Sequence, residues 1–198
     1  MLQTRYWFLT SPLLCILFLP SLVVPASGQT TSPGDTKLTI KAVLVLTPEF
    51  CATESKKGDF WSGKETFQTG KAACSELEPA LRGVFSNLTR VEAPPSSGEA
   101  QLVLLPRFVD VGATKTLGAF SDREMVVLLE WTLKDKSGKT VWIETVQGSA
   151  KHHMGNAFTY KKNRKMVVED SVKDAAEQSA GKMSASPELR KLADGNSN

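Results

Sequence analysis

The sequence contains few of the residue types that enzymes most often use for chemistry. Its 198 residues include only two histidines and three cysteines. His152 and His153 are adjacent, and neighbouring residues on a strand point to opposite faces, so the two are a poor pair of metal ligands. A zinc site would then need carboxylates or cysteines as well, and no spacing in the chain supports one. We therefore predict neither a metal site nor a cofactor.

The motifs that mark common catalytic sites are also missing. The chain has no Gly-x-Ser-x-Gly elbow, no complete phosphate-loop motif and no dinucleotide fingerprint. Nucleophilic catalysis needs a base held beside a serine or cysteine, and no such motif is found. The acidic pair Glu169 and Asp170 falls at the start of a predicted helix, where negative charge is favourable for structural reasons. We therefore predict no catalytic residues and a protein that is not an enzyme.

The first 28 residues predict export. Arg5 is their only charge, an apolar run covers residues 6–24, and the segment closes on the small residues 26–28, which suit a signal peptidase. An uncleaved membrane anchor is the alternative, because a spanning helix needs about 20 apolar residues. Pro12 and Pro20 argue against the anchor, since proline interrupts helical hydrogen bonding. We expect a periplasmic or outer-membrane-associated protein if the source is bacterial, and a secreted protein otherwise.

Charge and length limit the possible partners. The signal segment 1–28 holds one arginine and no acid, so the remaining 170 residues carry 23 basic and 21 acidic side chains. This balance does not predict a nucleic-acid partner, which would need a concentrated basic surface. No later apolar run is long enough to span a membrane. We expect a flexible lead at 29–36, a single domain at 37–193 and a disordered tail at 194–198.

Two cysteines, Cys51 and Cys74, remain after the signal segment. Export places them where disulfides persist. In the chain-entropy model, a bridge that closes this loop would stabilise the fold by about 3 kcal/mol. Two buried free thiols are the alternative, and the compartment is the reason we predict the disulfide.

Local patterns predict an α+β fold, with a mixed or antiparallel sheet of about five strands and two helices packed on one face. Alternating or continuous apolar residues indicate strands at 38–46, 89–93 and 100–111. Apolar residues at three- and four-residue spacing indicate helices at 70–86 and 166–184, and a short last helix follows from Ser186. Pro79 either lies in the first turn of a helix capped at Ser75 or kinks a longer helix. Pro106 favours an edge position or a bulge.

Residues 123–150 predict a β-hairpin. A three-residue loop that ends on Gly138, in the left-handed conformation, is a favoured closure. This turn would place the apolar residues Leu133 and Val141 opposite each other. Trp142 would then lie on the other, polar face, where it is either covered by another segment or available to a partner.

Residues 49–69 are polar, aromatic and punctuated by glycine. Loops of this length in compact domains tend to be functional or disordered, and the aromatic side chains argue against disorder. The segment either packs its aromatics over the sheet edge or forms a binding loop with Trp61 as an anchor. A pocket between this loop and the sheet would suit a small ligand.

Residues 151–165 carry five cations and no acid, interleaved with aromatic residues. Such a segment is either a solvated loop or a contact for anionic lipid headgroups or an acidic partner. Together with two tryptophans it supplies the partner-binding candidates, which are Trp61, Trp142, Lys151, Phe158, Tyr160, Lys161, Lys162, Arg164 and Lys165.

Three segments resemble small bacterial envelope lipoproteins of the YajG and LPS-assembly-lipoprotein type. They are the strand LTIKAVLVLTPE, the hairpin VVLLEWTLKDKSGKTVW and the closing helix VVEDSVKDAAEQSAGKMSASPELRKL. The resemblance implies a sheet with two helices on one face, and an accessory or assembly role without catalysis. Those families carry a lipid on a cysteine just after the signal, whereas this chain has Gln29 there.

The leading hypothesis is therefore an exported, non-catalytic envelope protein that binds a partner protein or a lipid-associated complex. The alternative is a periplasmic module that binds a small ligand in a pocket under residues 49–69. The sequence contains no indication of the oligomeric state.

Overall fold

The computed structural model describes residues 37–59, 63–96, 98–113 and 121–195. The predicted signal segment, the lead at 29–36 and Trp61 lie outside the described residues. In chain order the elements are β1 (Leu38–Val45), α1 (Pro48–Cys51), β2 (Ser55–Asp59), β3 (Gly63–Phe67), α2 (Thr69–Arg82), β4 (Phe85–Val91), β5 (Leu102–Ala113), β6 (Asp122–Asp135), β7 (Thr140–His153), α3 (Ala157–Ala185) and α4 (Pro187–Gly195). The last helix extends two residues into the predicted tail.

Five strands form one mixed sheet in the order β4-β1-β5-β6-β7. Strands β4 and β5 run parallel to β1, whereas β6 and β7 continue as antiparallel neighbours. Strands β2 and β3 form a separate hairpin. Helices α2 and α3 pack against each other and share one core with the sheet. The predicted α+β class with a five-stranded sheet is thus confirmed.

Alternation along the strands places the core on the helical side of the sheet. In β6, every second residue from Met125 to Leu133 is buried, as the two-residue period of a strand requires. In α2, Leu77 and Leu81 are buried one turn apart against this face. Full burial of each such side chain contributes about 1.5–3 kcal/mol to stability. The opposite face carries a smaller cluster around Val43 and Val45.

Helix α3 lies unusually close to β7 because both present small residues at the contact. A Cβ atom on Gly148 would be 2.2 Å from the Ser171 carbonyl oxygen and 2.6 Å from the Ala175 Cβ. Only glycine fits at this approach. Farther along the helix, Trp131 Nε1 donates a hydrogen bond to Ser179 Oγ at 2.8 Å in the buried interior. The small residues of this helix therefore lie at its contact with the sheet.

Two segments predicted as loops contain regular structure. Residues 49–69 include most of α1, the antiparallel strands β2 and β3, and the first residue of α2. Helix α3 begins at Ala157 and not at 166, because Asn156 caps it: its side chain accepts hydrogen bonds from the backbone N–H groups of Phe158 and Thr159. The basic segment is thus the end of β7, a short turn and the first turns of α3.

The predicted hairpin turn is confirmed, but the predicted register is wrong. Gly138 has a φ of +83° and donates a backbone hydrogen bond to Asp135. Beyond the turn a bulge shifts the pairing, so that Leu133 lies opposite Trp142 and not opposite Val141. Trp142 is therefore half-buried against the core and not on the polar face. Ile143 takes the polar face instead and is 60% exposed.

The two prolines that the sequence analysis singled out lie in different environments. Pro79 lies inside α2, which is the longer of the two helices that the sequence allows. The parallel pairing between β1 and β5 covers only Leu102–Leu104 and ends before Pro106, which has no backbone N–H to donate. A register shift in the pairing with β6 follows between Phe108 and Asp110.

Candidate functional site

A pocket of about 740 Å³ lies between the end of β3, the first turns of α2 and the N-terminal half of α3. Its volume is within the range of small-ligand sites in proteins, which is about 300–1,000 Å³. One wall comes from Glu54 and residues 66–75 and the other from residues 161–169. The pocket thus joins the two segments that the sequence identifies as candidates for binding.

The α3 wall is a single stripe along the helix. Lys161, Arg164, Lys165, Val168 and Glu169 line the pocket, and their spacing of three and four residues puts them on one helical face. This stripe exists because α3 starts at residue 157, which makes the second half of the basic segment helical.

The facing wall is anchored to the rest of the fold by covalent and polar contacts. The predicted disulfide is present: Cys51 of α1 is bonded to Cys74 of α2, with their Cα atoms 5.7 Å apart. The Thr69 hydroxyl lies 3.1 Å from the hydroxyl of Ser55, at the start of β2. These contacts fix α1 and β2 against α2 and so position the lining residues Glu54 and Lys71.

The base of the pocket is apolar, with charged groups around it. Phe67, Ala72 and Val168 line the pocket yet are almost completely buried, Phe67 being only 2% exposed. The guanidinium groups of Arg123 and Arg164 each lie over the Phe67 ring, 5.7 Å from its centroid. This distance is within the range of a cation–π contact.

Positive charge predominates in the lining, which has four cations and two carboxylates. Lys165 is paired with Glu169 at 3.2 Å. Lys71 and Lys161 have no ion-pair partner among the residues that the structure describes. A concave surface with an excess of one charge raises the local concentration of oppositely charged ligands.

The structure separates the other partner-binding candidates that it describes from the pocket. Lys151 lies on the outer face of β7 and pairs with Asp122 at 3.0 Å. Tyr160, like Trp142, packs partly against the core. Lys162 and Phe158 project from the first turns of α3, and Phe158 is 96% exposed. Of the predicted candidates, Lys161, Arg164 and Lys165 are brought together at the pocket.

Sequence reasoning missed the α2 side of the pocket. Lys71, Ala72 and Ser75 share one face of α2, next to the end of β3. The signal was present in the four-residue spacing of Lys71 and Ser75 after the apolar Phe67. It was not visible without knowing that α2 and α3 lie side by side.

The two histidines lie on opposite faces of β7, as predicted. His152 Nε2 is 2.6 Å from Asp170 on α3, and His153 Nδ1 is 3.0 Å from Asp122. Hydrogen bonds from His153, and then from Lys151, lower the pKa of Asp122 below its usual value. No group of three or more His, Cys, Asp or Glu in the described part of the chain is arranged to hold a metal ion. None of the described helices is both long and apolar enough to cross a membrane.

Comparison with known proteins identifies the fold. No protein-family model matches the sequence, and no curated protein matches it. Protein XCC0632 from Xanthomonas campestris, a DUF330 protein, is 7% identical, with 76% of this chain and 89% of that chain covered and a TM-score of 0.50. A minor lipoprotein from Acinetobacter baumannii is 16% identical, with 75% of this chain and 93% of that chain covered and a TM-score of 0.47. PelC from Paraburkholderia phytofirmans, solved as a dodecamer, is 20% identical, with 74% of this chain and 94% of that chain covered and a TM-score of 0.37.

At 7% identity the likeness to the Xanthomonas protein shows a shared fold and nothing more. The likeness to the other two proteins has TM-scores below 0.5 and carries no argument. The fold implied by the resemblance to envelope lipoproteins, a sheet with two helices on one face, is confirmed. The comparisons do not favour the YajG and LPS-assembly type over other proteins with this fold.

Proposed function

We propose that this chain is an exported, non-catalytic protein that binds a small ligand in the pocket between β3, α2 and α3. The observation that carries the proposal is the assembly of one cavity from two parts of the chain about 90 residues apart, Glu54 with residues 66–75 and residues 161–169. Sites of this kind combine an apolar base with a few convergent polar groups, as this pocket does.

The chemistry of the lining favours binding over catalysis. The pocket residues in the described part of the chain include no histidine and no cysteine. The Ser75 hydroxyl donates to the Ala72 carbonyl oxygen of its own helix at 2.8 Å. A longer contact of 3.4 Å joins the same hydroxyl to the Glu76 carboxylate of the same helix, and no histidine of the described lining stands beside it as a base.

A thermal-shift screen of the exported protein against metabolites and lipids tests the proposal. A ligand at a hundred times its dissociation constant stabilises the folded state by about 2.7 kcal/mol, which raises the melting temperature by about 5–10 °C. Thr66→Trp places a large side chain in the pocket from β3, and Thr145→Trp adds the same side chain on an exposed part of β7. We expect the shift in the wild type and in Thr145→Trp but not in Thr66→Trp. A screen without a hit, or a hit that Thr66→Trp retains, contradicts the proposal.

A second candidate function is contact with an anionic lipid surface, and the exposure of Phe158 favours it. Phe158 is 96% exposed beside the exposed Lys161 and Lys162, and aromatic and basic side chains together favour such surfaces. We expect the wild type to sediment with vesicles that contain anionic phospholipid, and Phe158→Ala to do so less. Ile143→Ala, which removes an exposed apolar side chain elsewhere, is the matched control. Equal sedimentation of wild type and Phe158→Ala would exclude this contact.

A further inference from the structure

We infer that the ligand of the pocket is an anionic amphiphile, with an acidic headgroup such as a phosphate monoester held by Lys71 and Lys161 and an aliphatic part against Ala72 and Val168. The inference rests on the proposed function of the pocket and specifies its ligand class.

The charge of the lining selects an acidic group. Lys71 projects from α2 and Lys161 from α3, so the two cations come from different walls of one cavity. Neither has an ion-pair partner among the described residues, and the lining as a whole has an excess of two positive charges. An anion bound there would give both ammonium groups a partner, and hydrogen bonds between charged groups are the stronger ones in proteins.

The start of α2 adds to this preference. Its first turn contains no acidic residue, and Gln68 at the N-cap makes no capping hydrogen bond with its side chain. Gln68, Lys71 and Ala72 all line the pocket. The partial positive charge of the helix N-terminus is therefore near the pocket, and no carboxylate in the first turn of the helix offsets it.

The apolar base selects an aliphatic part over a flat aromatic one. Phe67 is the one aromatic side chain in the described lining, and it is 2% exposed. Its ring already lies under the guanidinium groups of Arg123 and Arg164. Because so little of the Phe67 ring is exposed, a nucleobase or another flat ring would have no accessible aromatic face to stack on. Ala72 and Val168 offer small aliphatic surface, which suits methylene groups.

Calorimetric titration with three probes below their micelle concentrations tests both parts of the inference. The probes are inorganic phosphate, octyl phosphate and the neutral octyl glucoside. Octyl phosphate is expected to bind at least fiftyfold more tightly than phosphate, because burial of about three methylene groups has this effect. It is also expected to bind about tenfold more tightly than octyl glucoside, because its phosphate gains a hydrogen bond between charged groups that the neutral sugar cannot form.

Two variants locate the headgroup. Lys71→Gln and Lys161→Gln are each expected to weaken octyl phosphate binding about tenfold. Lys162→Gln, next to Lys161 on the same exposed part of α3 but not in the pocket lining, is the matched control and is expected to change binding less than twofold. Equal losses in Lys161→Gln and Lys162→Gln would show general charge attraction and overturn the assignment.

The outcomes separate this inference from the proposed function. If octyl glucoside binds as tightly as octyl phosphate, the pocket binds ligands but the acidic headgroup is wrong. If inorganic phosphate binds as tightly as octyl phosphate, the ligand is a free anion and the amphiphile is wrong. If no probe binds while a compound from the thermal-shift screen does, the inference fails and the proposed function stands. If no compound binds at all, both fail.

Discussion

At the scale of single residues, one hydrogen bond ties the sheet to α3 inside the core. Trp131 Nε1 donates to Ser179 Oγ at 2.8 Å, and the Ser179 hydroxyl donates in turn to the Ala175 carbonyl oxygen at 2.6 Å. Both side chains are buried. The serine therefore satisfies an indole N–H that would otherwise have no partner in an apolar interior.

Removing that acceptor is expected to be costly. Ser179→Ala leaves the Trp131 N–H buried without a partner, which reduces the free energy of unfolding by about 1–3 kcal/mol. Ser184→Ala is the control, because Ser184 lies on the same helix and its hydroxyl donates to the Gly181 carbonyl at 2.9 Å, but at an exposed position. We expect it to change stability by less than about 0.5 kcal/mol. Urea unfolding that shows equal effects for the two variants would contradict the role of Ser179.

Single positions also show where prediction from sequence stops. The alternation of Val127, Leu129, Trp131 and Leu133 was enough to place their side chains in the core. The side of Trp142 was not predictable, because it depends on one bulge after the turn. A shift of one residue moves every later side chain of a strand to the other face.

At the scale of elements, helix α3 serves the core and the pocket with different residues. Val172 and Ala175 pack in the core, while Lys161 and Arg164 line the pocket. The helix period predicts the first set, because burial requires an apolar stripe. The pocket residues could be predicted only by knowing where α3 begins. The capping pair Asn156 and Thr159 is the sequence signal that identifies this start.

The link between α1 and α2 gives an element-scale prediction. The Cys51–Cys74 bond closes a loop that includes β2, β3 and the first turns of α2. Replacement of both cysteines by alanine is expected to reduce the free energy of unfolding by about 3 kcal/mol. Urea unfolding with and without reductant measures the effect, and reductant should leave the double variant unchanged. Mass spectrometry of non-reduced wild type that finds two free thiols would contradict the bond.

At the scale of the whole molecule, the site depends on non-local packing. The sequence was sufficient for the α+β class, for β1 and for the hairpin turn, since each follows from local periodicity or turn chemistry. The pocket was not predictable in detail, because its two walls meet only when α2 and α3 lie side by side on the sheet. Fold likeness alone does not assign a function, so the charges and burial of the lining carry the proposal.

The most direct test of the pocket is to locate a bound ligand by NMR. Amide resonances of the protein would be followed during titration with the best ligand from the thermal-shift screen. The account predicts saturable shifts concentrated at residues 66–75 and 161–169, the two walls of the pocket. Shifts concentrated elsewhere, such as on the exposed face of β7 around Ile143, would contradict it.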